Sequence, residues 1–123
     1  MPPTTSSLPI TTPVGASSVG NASFYQLLEK IQKRSAMYLG GRSLSRLEAF
    51  LGGYFVAKQE LGLSLTSEEE HFTQFQDWIQ TKYHMQASQS WAKIILFYST
   101  DEAHALDSFF QLWQEFQTLP PSW

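Results

Sequence analysis

From Phe24 to Phe116 the large apolar residues recur with the period of a helix, and polar residues fill the positions between them. Phe24, Leu27, Leu28 and Ile31 keep the i, i+3, i+4, i+7 spacing that sets them on one face. Ser23 and Gln26 precede them at capping-box spacing. This helix is expected to fray near Ser35, with Gly40-Gly41 as a firm break. A second run starts at Ser43, a capping residue, and its stripe is Leu44, Leu47, Leu51, Tyr54, Phe55 and Leu61. Gly52-Gly53 lies inside that run, where each glycine costs about 1 kcal/mol relative to alanine. The pair is expected to mark the close approach of another helix, with a hinge as the alternative reading. Gly62 ends the run.

The third helix has the clearest start. Thr66 and Ser67 supply a cap, and Glu68, Glu69 and Glu70 place negative charge in the first turn. Phe72, Phe75, Ile79 and Tyr83 line its face, with Trp78 at the edge. After the polar break Ser88-Gln89-Ser90 comes Trp91, then Ile94-Ile95-Leu96-Phe97-Tyr98, which by composition suits either a buried strand or a buried helix. No partner strand is evident elsewhere in the chain, so a helix is favoured. Ser99, Thr100 and Asp101 supply caps, with Ser99 and Glu102 at capping-box spacing, for a last helix striped by Leu106, Phe109, Phe110, Trp113 and Phe116, and Pro120-Pro121 stops it. The pattern predicts an all-α fold, a compact bundle of about five amphipathic helices spanning residues 23–118, followed by a short C-terminal end at 119–123.

Residues 1–22 break the pattern. Four Pro, four Thr, four Ser, two Gly and no charged side chain give too little apolar surface to offset the entropy of ordering, so a disordered N-terminal tail is expected. It is either a plain extension or a tether or Pro-containing ligand for a partner. It has neither the basic start and apolar centre of a secretory signal nor the arginines of a transit peptide. The longest uninterrupted apolar stretch, Ile94 to Tyr98, has five residues, too short for a transmembrane helix, and a cytoplasmic location is expected. Eighteen aromatic residues in 123 supply a packed core, and the absence of cysteine excludes disulfides, thiolate metal sites and a cysteine nucleophile.

Candidate chemistry is sparse. Glu68-x-x-His71 and Asp101-x-x-His104 each put an acid and a histidine on one helical face, the unit from which bundle proteins build di-metal sites. Both acids, however, sit in first turns, and the bridging carboxylates such a site requires would have to come from Glu29, Glu48 or Glu60 on faces expected to see solvent. Histidines beside helix-capping acids are the preferred reading, and a metal-dependent enzyme is kept as an alternative. No nucleophile elbow, Walker A loop or G-x-G-x-x-G is present, so neither a catalytic site nor a cofactor is expected.

Charge is segregated along the chain. Lys30, Lys33, Arg34, Arg42 and Arg46 are five of the eight basic residues, and Glu29 is the single acid in residues 1–46. Residues 47–123 carry ten acids against three bases, and the whole chain has a net charge of −3. A local basic patch on an acidic protein either steers an acidic partner or sits against the domain's own acidic helices. Lys33, Arg34, Arg42 and Arg46, with Tyr38 as an aromatic anchor, are the candidate partner-binding residues. Nucleic-acid binding would want more positive charge and exposed aromatics. Met37, Tyr38 and Leu39 are expected to fold back between two helices as an apolar plug.

The segment Lys33-Arg34-Ser35-Ala36-Met37-Tyr38-Leu39-Gly40, with Ser43-Leu44 and Phe50-Leu51-x-Gly53-Tyr54 after it, resembles small uncharacterised bacterial proteins. Those proteins carry R-P-x-M-Y-L-G, then S-L-x-x-L and F-L-x-G-Y. Ser90-Trp91 and the closing Phe109-Phe110-Gln111-Leu112-Trp113-Gln114-Glu115-Phe116 are similar to later segments of the same group. Ser35 stands where proline is usual there. Some of these proteins are thought to be immunity proteins, so the resemblance implies a domain that binds and silences a toxin. Lys33 to Gly40 also looks like the K-R-P-G-M-Y-I-G segment of gyrase-type ATPases, but the large α/β domain of those enzymes does not follow, so ATP binding does not carry over. The function expected is a non-catalytic, immunity-like protein-binding domain, with a scaffold or regulatory subunit as the alternative.

Overall fold

The computed structural model describes residues 23–86 and 88–120, and over them the chain is all helix and turn, with no strand. Seven helices follow one another: α1 (Phe24–Lys33), α2 (Ser35–Leu39), α3 (Leu44–Glu60), α4 (Ser67–Thr73), α5 (Phe75–Lys82), α6 (Trp91–Phe97) and α7 (Glu102–Gln117). The tail expected at residues 1–22 lies outside the described residues. No helix among those described is long and apolar enough to cross a membrane.

Helix starts follow the local chemistry. Ser23 and Gln26 form the capping box of α1, Thr66 and Glu69 that of α4, and the hydroxyls of Ser43 and Ser90 cap α3 and α6. Of the three caps offered before α7, Asp101 is the one used: its side chain accepts the His104 N–H. The Ser99 hydroxyl is turned back to the Ile95 carbonyl at 2.7 Å and so closes α6 instead.

Two of the five expected helices are divided. The third steps at Gln74, where ψ of −14° and an N–H bond to the His71 carbonyl replace the α-helical pattern for one residue. The step keeps Phe72, Phe75, Trp78 and Ile79 all directed inward, so Trp78 is a core residue and not an edge one. The first helix stops at Arg34, and Ser35 begins the separate turn α2.

The core lies where α3, α6 and α7 meet, closed by α1 and by α4–α5. Phe75 is its hub: its ring lies 5.5–5.9 Å from those of Phe72, Trp78, Trp91, Phe109, Trp113 and Phe116. Most of these contacts are tilted or edge-on, the arrangement the ring quadrupoles favour. The apolar run from Ile94 is only half buried. Ile94 and Ile95 point inward, while Phe97 is 73% exposed.

Gly52-Gly53 is not a site of close approach. α3 runs through both without a break, both are exposed, and a β-carbon built on either meets nothing within 4 Å. Leu61, expected on the buried stripe, is 72% exposed because α3 ends one residue before it. Substituting alanine at Gly52 or Gly53 should therefore raise stability by about 1 kcal/mol each, through helix propensity alone. Thermal melts should show an increase of about 4–8 °C per substitution for a domain of this size. An unchanged or lowered Tm would mean that the helix has another conformation in solution.

Candidate functional site

The basic stretch forms around a tight helix–helix corner. Lys30 and Lys33 occupy the last turn of α1, where cations complement the helix dipole. Arg34 leaves the helical region (φ −135°, ψ 53°), so the chain turns and α2 starts at once. The Arg34 carbonyl accepts the N–H groups of Met37 and Tyr38 at 3.0 and 3.2 Å. Ser35 is buried, and its hydroxyl donates to the Ile31 carbonyl at 2.9 Å. It takes the first helical position, one that proline also suits, and adds a bond that proline could not make.

The segment Met37–Leu39 is a helical turn and not an inward plug. Positions 35 and 39 face the core, while position 37 faces solvent: Leu39 is buried and Met37 is 63% exposed. Tyr38 is half buried, its ring edge-on to Phe50 at 6.4 Å. Gly40 ends α2 with φ of +77°, and a β-carbon there would lie 2.8 Å from Nη1 of Arg46. That nitrogen donates to the Leu39 carbonyl at 3.1 Å, which fixes the end of α2.

The five candidate partner-binding residues therefore separate. Lys33, Arg34 and Tyr38 line one surface hollow of about 350 Å3, together with Lys30 and Met37. Arg46 is committed to the Leu39 carbonyl, so it positions the corner. Arg42 pairs with Asp107 of α7, both side chains being more than half exposed. Among the described residues the ion pairs are Arg42–Asp107, Lys58–Glu69 and Lys82–Glu115, so Lys30, Lys33 and Arg34 have no carboxylate partner. Lys30 and Met37 are the two lining residues that the candidate set omitted. The i, i+3, i+4 spacing of Lys30, Lys33 and Arg34 was the sequence signal for the first.

The acid–histidine pairs serve the fold. Glu68 accepts the backbone N–H of Tyr25 at 3.0 Å, and the Tyr25 hydroxyl shares a 2.7 Å hydrogen bond with Nδ1 of His71. The pair thus clasps α1 onto α4, with the His71 ring stacked on Phe116 at 4.7 Å. Burial, with the nearby Glu68 charge, pushes the Tyr25 hydroxyl above its ordinary pKa. Asp101 caps α7, and Nδ1 of His104 accepts the Thr100 N–H at 3.0 Å. No group of three or more His, Asp or Glu among the described residues is placed to hold a metal ion.

Two further acids also work internally. Glu102 accepts the hydroxyls of Ser43 and Ser45 and the Ser45 N–H, at 2.7–3.0 Å, fastening α7 to the start of α3. The Ser45 bonds, backbone first, hold its carboxyl below the usual range. Glu69, 1% exposed, takes up the Lys58 ammonium, the Tyr54 hydroxyl and the Thr66 N–H. Comparison of the chain with protein-family models, with curated proteins and with solved structures gives no match.

Proposed function

We propose that this chain is a non-catalytic, cytoplasmic protein-binding domain that docks another protein, acidic at the contact, on the corner between α1 and α2. The observation that supports this most is the hollow bounded by Lys30, Lys33 and Arg34: three cations with no carboxylate partner among the described residues, beside an exposed Met37. Elsewhere the ionised side chains that tie helices together, Glu69 and Glu102 among them, are supplied with partners from within the fold. Charge left unpaired beside apolar surface suits steering and docking of a partner. The resemblance of Lys33 to Gly40 to possible immunity proteins makes binding and silencing of a partner the most concrete form of this reading.

The test is a charge reversal. The double variant Lys33→Glu/Arg34→Glu is expected to lose a partner captured by the wild-type chain, with unchanged circular dichroism and a Tm lowered only by the few degrees that reversing charge at the helix end costs. Lys93→Glu, which alters an exposed lysine on α6, is expected to keep it. Equal capture by all three proteins would place the binding face elsewhere.

A further inference from the structure

We infer that the hollow receives a short acidic segment carrying one large apolar side chain between its carboxylates, the apolar group resting on Met37 and Tyr38 and the carboxylates meeting Lys30, Lys33 and Arg34. This rests on the reading of the hollow as the partner-binding face, and it specifies what the partner presents there.

The lining is mixed in a way that charge alone does not explain. A purely electrostatic surface has no use for Met37, which stands 63% exposed among three cations. Methionine is unbranched and polarisable, and it moulds to whatever apolar group it meets. Tyr38 is held edge-on against Phe50, so it offers a firm wall at small entropic cost. The volume, about 350 Å3, is near the lower end of what small ligand groups occupy, roughly 300–1,000 Å3. It therefore admits one large side chain with its neighbours and not the face of a whole helix.

Charge complementarity fixes the rest. The cations are the last turn and cap of α1, so they surround the negative end of that helix dipole. That field opposes any anion, so attraction comes from the three side-chain cations alone, and a compact anion such as phosphate meets fewer of these long, hydrated side chains at once. Several carboxylates on one strand engage all three cations together, within a screening length of about 8 Å at physiological salt. Nucleic acid is disfavoured by the net charge of −3 and by the hollow's single, half-buried aromatic residue, Tyr38, where stacking of successive bases wants several rings.

The experiment titrates the full chain with the peptide Glu-Glu-Asp-Leu-Asp-Glu-Glu and with its counterpart holding Ser in place of Leu. Methyl and backbone NMR shifts report both affinity and location. The Leu peptide should bind at least about tenfold more tightly than the Ser peptide, with the largest shifts at Met37 and Tyr38. Met37→Asp should abolish that preference, and Met37→Leu should keep it. Equal binding of the two peptides at the hollow would overturn the apolar component while leaving an acid-binding face in place. If neither peptide shifts the hollow, and Lys33→Glu/Arg34→Glu still captures the partner, the underlying reading fails as well. Tighter binding of a single-stranded oligonucleotide or of inorganic phosphate than of the Leu peptide would overturn the partner class.

Discussion

Replacing Phe75 with alanine should cost about 3–5 kcal/mol of folding stability, the range for emptying a buried aromatic site. The ring is fully buried, and six other aromatic rings pack around it from α4, α5, α6 and α7. Large rings cannot collapse into the space without leaving their rotamers, so most of the cavity would persist. Domains of this kind have about 5–15 kcal/mol in total, so the loss is about a fifth of the whole at the least. Urea denaturation should show a lower midpoint with a similar slope. Phe97→Ala is the internal control: the same residue type, 73% exposed, should change stability by no more than about 0.5 kcal/mol. A cost below about 1 kcal/mol at Phe75 would mean that this ring cluster is not the centre of the core.

Phe75 and Phe97 also show where reading the chain succeeds and where it stops. The helical period correctly grouped Phe24, Leu28 and Ile31, then Leu44, Leu47 and Leu51, then Leu106, Phe109, Trp113 and Phe116, and every one of these is buried. Those residues lie within their helices, Phe24 and Leu44 at the first position, and there position on the cylinder decides burial. Phe97 and Leu61 lie at or just past helix ends, where the chain leaves the cylinder and the period no longer applies. The fraying near Ser35 is legible, but the immediate restart of the helix there and the step at Gln74 carry no glycine or proline, so nothing local announces them. Gly52-Gly53 failed for the opposite reason. The cost of the pair was legible, but whether anything packs there depends on which face of α3 the other helices take.

The candidate site divides along the same line. Clustering of Lys30, Lys33 and Arg34 is a matter of neighbouring positions on one helix end, and the charge pattern displayed it. The fates of Arg42 and Arg46 are not local. Asp107 stands 65 positions from Arg42, and the Leu39 carbonyl that Arg46 caps is free only because α2 ends there. That the basic stretch meets the domain's own acidic helices is one of the two readings of its charge, and Arg42 does so at Asp107, while Arg46 sets the corner on which the hollow depends. The acid–histidine pairs invert this case: the pattern was real, and its purpose is to clasp Tyr25 and to cap α7.

Glu69→Ala should be the most damaging polar substitution, at about 3 kcal/mol near pH 7, the lower end for breaking a buried ion pair. The carboxylate joins three elements: Lys58 and Tyr54 of α3, the Thr66 N–H, and its own helix α4. Its removal strands the Tyr54 hydroxyl and the cap N–H, while the Lys58 ammonium, 2.7 Å away in the native pair, can turn toward water. Burial by itself would push the Glu69 carboxyl up; the bonds from Lys58, Tyr54 and Thr66 outweigh it and hold the carboxyl below its ordinary value of 4.5. A lowered acid gives stability that is full above the ordinary value and is lost as pH falls through the native one. The gap between wild type and Glu69→Ala should therefore narrow in denaturation at about pH 3. The partner group moves the other way. Burial, then the bond to Glu69 and its charge, push the Tyr54 hydroxyl up to about 12, so its contribution is kept below its ordinary value of 10.0 and lost as pH rises through the native one. Absorbance titration should find Tyr25 and Tyr54 both ionising late in the wild type, and in Glu69→Ala the Tyr54 step should move toward its ordinary value while that of Tyr25 stays. Glu69→Gln, which retains an acceptor for Thr66, should show the same spectroscopic change with a smaller loss of stability. If Tyr54 titrates as late in both variants as in the wild type, burial alone holds it and the bond between the two side chains does not.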